Sequence, residues 1–97
     1  MLGFRRRWRE PAAKEFYDRF MEAGQQTVPA GHGALIIHAD GTGNSPRCGL
    51  RLAYLCDDWG FNFAVGRDGE IDTYGLKTNL NIPELLVAVL NSVREVN

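Results

Sequence analysis

The sequence predicts an α+β domain, a four-stranded antiparallel sheet with an N-terminal and a C-terminal helix packed on one face, in the order α-β-β-β-β-α. Three observations carry that expectation. An apolar stripe at helical spacing comes first, alternating apolar residues separated by turn signals fill the middle, and a capped amphipathic stretch closes the chain. Short connections between consecutive strands imply antiparallel neighbours, because a parallel pair needs a crossover of about a dozen residues or more.

The first helix is expected from Pro11, which suits the first helical turn, to about Ala23, with Gly24 as its stop. Trp8, Ala12, Phe16 and Phe20 recur every four residues and form its apolar stripe. From Gln25 to Gly33, Pro29, Gly31 and Gly33 mark an irregular connection. Ala34 to Ala39 then reads as a first strand, and Asp40 to Arg47 as a long loop rich in glycine.

In the next segment Leu50, Leu52, Tyr54 and Cys56 alternate with Gly49, Arg51, Ala53 and Leu55, so Cys48 to Cys56 reads as a second strand. Phe61, Phe63 and Val65 alternate in a third. Asp68-Gly69 is a hairpin signal of type I′ character, from which Ile71 to Tyr74 returns as a fourth strand. The last helix runs from Asn81 to Val96, with Asn81 and Glu84 arranged like a capping box. Ile82, Leu85, Leu86, Val89, Leu90 and Val93 form its core face, and the extra apolar residues Val87 and Ala88 predict cover on a second side, which a homodimer, a partner groove or deep burial in a compact monomer would provide.

The chain has 97 residues, which fits one domain over 1–97 with residues 1–9 as a basic N-terminal arm. A hydrophobic fraction of 44% places it among globular chains rather than disordered ones. A formal net charge of −1 gives no global pull toward nucleic acid or an anionic membrane, so an electrostatic partner must be drawn by local charge. That local charge is segregated. Residues 1–10 carry four arginines against one glutamate, and residues 57–72 carry five carboxylates against one arginine.

No apolar run reaches the roughly 18 residues that span a bilayer. The start of the chain lacks the apolar core of a secretory signal, so a cytoplasmic location without membrane contact is expected. Cys48 and Cys56 sit at opposite ends of one expected strand, which makes two free thiols the expectation.

No cofactor or metal motif emerges. The loop from Asp40 to Ser45 has oxygen donors at alternate positions, but the calcium-loop places for glycine and glutamate hold Ser45 and Arg51. It also lacks the lysine and helix of a phosphate loop. His32, His38, Cys48 and Cys56 do not have the close-pair spacing of structural zinc sites.

Three function classes remain. The leading one is a non-catalytic interaction module, an inhibitor or accessory subunit that binds a protein partner through Asp57, Asp58, Trp59, Asp68, Glu70, Asp72 and Tyr74. Carboxylates interleaved with aromatics suit a basic protein surface. The second is nucleic-acid binding through Arg5, Arg6, Arg7, Trp8 and Arg9, where guanidinium forks would meet phosphate and the indole would stack. The third is a small cysteine-dependent enzyme using Cys48 with His32 or His38. Cys56 is less suited, since Asp57 and Asp58 beside it would raise its thiol pKa.

The helix–sheet–helix order resembles that of double-stranded-RNA-binding domains. That resemblance implies a lysine cluster at the start of the second helix, where this chain has Asn81, Ile82, Pro83 and Glu84. The likeness is therefore one of topology, without the cations that bind phosphate.

Overall fold

Trp8 is half-buried and Arg9 is exposed, and such alternation at a period of two belongs to a strand rather than to the start of a helix. The computed structural model describes residues 7–38 and 49–96. In it the chain opens with β1 (Arg7–Arg9) and turns at once into α1 (Pro11–Phe20). Next come β2 (Gln26–Ala30), β3 (Gly33–His38), β4 (Leu50–Leu55), β5 (Gly60–Val65), β6 (Glu70–Asp72) and α2 (Ile82–Val96). Arg5, Arg6, the loop from Asp40 to Arg47 and Cys48 lie outside the described residues.

The expected four-stranded sheet is corrected by this order. The sheet has six strands in the order β1-β6-β5-β4-β3-β2, every neighbouring pair antiparallel. Both additional strands are edges. In β1 the arginines mask a strand of the expected basic arm, and Trp8 belongs to the sheet, not to the helical stripe. In β2 the proline suggests a break, yet an edge strand tolerates Pro29 because one row of its backbone donors has no ladder to serve. Gly31, at φ 57°, then turns the chain tightly so that Ala30 pairs with Gly33.

The β5–β6 connection also differs from expectation. Only Gly69 of the Asp68-Gly69 pair has positive φ, at 83°. Gly69 N–H donates to the Gly66 carbonyl at 3.0 Å, and Gly66 N–H donates to the Glu70 carbonyl at 2.8 Å. This is a three-residue loop closed by a bulged glycine, not the two-residue type I′ turn. A turn with two positive φ values does occur, at Tyr74 (57°) and Gly75 (80°), closed by Leu76 N–H on the Thr73 carbonyl at 3.0 Å.

One face of the sheet carries the core. Leu35, Ile37, Leu52, Tyr54, Phe63, Val65 and Ile71 are buried there with Phe16 and Phe20 of α1 and Ile82, Leu86 and Val89 of α2. The α1 rings of Phe16 and Phe20 stack at a centroid separation of 4.6 Å. Asn81 Oδ1 accepts the Glu84 N–H at 3.1 Å and caps α2, as its capping-box spacing implies. An ion pair between Arg94 and Glu15 joins the two helices. Val87 is 41% exposed and Ala88 is exposed as well, so none of the described residues covers the outer side of α2. Among the described residues no helix is long and apolar enough to cross a membrane.

Candidate functional site

Alternation along the strands sends every second side chain to the face that carries no helix, and the register then sorts those side chains into rows. One row runs His38, Arg51, Ala64, Asp72 across β3, β4, β5 and β6. The next runs Ile36, Ala53, Asn62. Between the two rows lies a depression of about 290 Å³ whose lining includes His38, Arg51, Ala53, Asn62 and Tyr74, with Leu52 and Phe63 beneath. Among the described residues, no Asp or Glu lines it.

Tyr74 reaches this depression by an unusual route. Its φ of 57° is a left-handed conformation that bulky residues avoid. Asp72 Oδ1 holds the turn by accepting the Tyr74 N–H at 2.8 Å. The tyrosine side chain remains half exposed.

A second surface sits at the far end of β4 and the start of β5. Cys56 N–H donates to the Trp59 carbonyl at 2.8 Å and closes a tight connection that displays Asp57, Asp58 and Trp59. Trp59 is 47% exposed and stands edge-on to Tyr54, ring centroids 5.8 Å apart. Its other side borders a groove of about 500 Å³ shared with Phe61, Lys77, Thr78 and Leu80. Tyr54 is fixed from below, its hydroxyl donating to the Ala30 carbonyl at 2.7 Å. Burial pushes the Tyr54 phenol pKa up, a hydrogen bond and charge interaction with Cys56 push it further, and backbone donors at His32 and Gly33 pull against them.

The seven residues expected to bind a partner are thus not one cluster. Asp57, Asp58 and Trp59 lie together, while Asp68 stands at the opposite end of β5, about 17 Å of strand away. Glu70 and Asp72 are half-buried in β6, which is not an edge, since β1 pairs with it and sets Arg9 opposite Glu70 and Arg7 opposite Asp72. That register sets the backbone of the described part of the basic arm beside that of the acidic segment. Tyr74 joins the depression rather than the hairpin tip.

Of the basic arm, Arg7, Trp8 and Arg9 are described and form β1. Trp8 packs against the core and donates its indole N–H to Glu10 Oε1 at 3.0 Å, so its ring is engaged within the domain. Of the thiol–imidazole set, Cys56 is a half-buried free thiol next to the Gly33 end of β3, His32 is exposed in the adjoining turn, and His38 is at the other end of that strand. Arg51 and Asn62 were not singled out by sequence reasoning. Their only signal was polarity at alternate strand positions, which does not reveal which other side chains stand beside them.

Comparison with protein-family models, with curated proteins and with solved structures returned no match to this chain.

Proposed function

We propose that the chain is a small non-catalytic interaction module that binds a basic protein partner through Asp57, Asp58 and Trp59, acting as an inhibitor or accessory subunit. The observation that supports this reading is the setting of Trp59. A large indole, 47% exposed, is held in place by Tyr54, bordered by a groove and preceded by two exposed carboxylates. A rigid aromatic anchor with a charged rim is the arrangement in which a few residues carry most of a binding energy.

Asp68, Glu70 and Asp72 are left out of this contact surface, the first by distance and the other two because they lie on β6, which β1 flanks within the sheet. A cytoplasmic setting suits the free thiol of Cys56. Val87 and Ala88 on α2 would favour a second copy as an alternative partner, which equilibrium sedimentation would register as a mass that rises with concentration.

The test is quantitative capture of a partner by the wild-type chain, Trp59→Ala and the double variant Asp57→Asn/Asp58→Asn, each verified as folded by its thermal melt. Truncating an anchor of this type is expected to weaken binding by about 2 kcal/mol, roughly thirtyfold. Unchanged partner affinity in both variants would refute the assignment.

A further inference from the structure

We propose that the depression on the helix-free face of the sheet, between His38, Arg51, Asn62 and Tyr74, binds the oxyanion group of a small ligand, a phosphate or a carboxylate. This inference does not depend on the partner surface at Trp59. It rests on what lines the depression, how those groups are held and how much room they leave.

All four polar side chains can donate hydrogen bonds. Arg51 offers only donors, in a planar fork that matches two oxygens of one anion, and His38, Asn62 and Tyr74 add an imidazole, an amide and a phenol. Among the described residues that line the space none is a carboxylate. Asp72, next to Ala64 in the same row, already has Oδ1 committed to the Tyr74 N–H. Arg51 and Tyr74 each engage other groups as well, and the five N–H donors of a guanidinium leave capacity for a further acceptor.

The donors are fixed to a rigid support. His38, Arg51 and Asn62 sit on three adjacent strands in the middle of the sheet, where side chains are positioned more accurately than on loops. Ala53 forms part of the floor, and Ala64, only 1% exposed, separates Arg51 from Asp72 within the row. A volume of about 290 Å³ suits an anionic head with a modest body rather than a dinucleotide or haem. The fourth donor is the one non-glycine residue with positive φ among those described. Strained backbone gathers at ligand sites, and here the strained residue lines the depression.

The experiment is a two-dimensional amide NMR titration of the full chain with sodium phosphate and, separately, sodium acetate, at ionic strength held constant with sodium chloride. Saturable shifts centred on His38, Arg51, Asn62 and Tyr74 are expected. Saturation by phosphate would identify a phosphate site, and saturation by acetate a carboxylate site. In Arg51→Gln, whose native fold the same spectrum verifies, affinity should drop at least about tenfold, the loss expected of a charge-assisted hydrogen bond. Asn62→Ala should weaken binding too and serves as the second variant if Arg51→Gln does not fold. The proposal is overturned if neither anion saturates, if chloride gives the same shifts, if the shifts lie elsewhere, or if affinity is unchanged in the variants.

Discussion

Asp72 and Tyr74 are bound to one another through a hydrogen bond of 2.8 Å from the tyrosine N–H to Asp72 Oδ1, and this contact accompanies a tyrosine φ of 57°. The left-handed conformation costs a residue with a Cβ about 1–2 kcal/mol, whereas glycine adopts it freely but gives up about 0.5–1 kcal/mol through its looser unfolded chain. The first effect is the larger. Tyr74→Gly should therefore raise stability by up to about 1 kcal/mol, seen as a higher urea midpoint at constant slope. Asp72→Ala should lower it by about 1 kcal/mol, because the strained turn loses its acceptor.

Gly69 couples the β5–β6 loop to the start of α1. Its carbonyl accepts the Glu10 N–H at 3.0 Å, its φ is 83°, and an added Cβ would lie 2.8 Å from the Glu10 carbonyl oxygen. Backbone at that distance cannot rotate aside. Gly69→Ala should cost about 2 kcal/mol and lower the melting temperature by roughly 10 °C in a domain of this size, as a thermal melt followed by circular dichroism would measure.

Stability should also fall in alkali through Tyr54. Because burial and Cys56 raise its folded pKa above the ordinary tyrosine value, the folded chain keeps the phenolic proton where the unfolded chain has begun to lose it. The contribution is complete below about pH 10 and fades as pH rises through the raised folded value. Tyr54→Phe should be about 1 kcal/mol less stable at neutral pH, having lost the hydrogen bond to the Ala30 carbonyl. Urea midpoints of the two proteins should converge above about pH 10, and a gap that persists there would contradict the assignment.

Deletion of residues 1–9 separates a strand from a free arm. Without β1 the β6 ladder is bare, Trp8 no longer covers the core, and an unpaired edge invites pairing with another chain. A loss of about 2 kcal/mol is expected from the missing indole alone, along with concentration-dependent self-association in light scattering. A free arm could be removed with neither effect.

What the sequence made legible depended on where each element sits. In α2 the Asn81 cap and the apolar stripe agree, and the helix begins where they imply. The inner strands β3, β4 and β5 are buried on one face, so their alternation is written directly into the residues. Edge strands obey weaker rules. In β1, arginines flank a single tryptophan, and in β2 a proline sits where an inner strand would reject it, so composition hid both. The β5–β6 turn could be located from Asp68-Gly69, but its type depends on whether Asp68 takes positive φ, which both turn classes leave open in sequence. The depression was the least legible feature, since His38, Arg51 and Asn62 meet through strand register and Tyr74 joins them from a left-handed turn, properties that no single stretch contains.

The pairing of Arg9 with Glu70 places the first strand of the chain against the last strand of the sheet. Strands from β2 to β6 pair with neighbours consecutive in the chain and lose less chain entropy, whereas docking β1 requires the polypeptide between it and β6 to be gathered first. Assembly is accordingly out of chain order: β1 finds its place only after β6 has formed, and that edge of the sheet is sealed late.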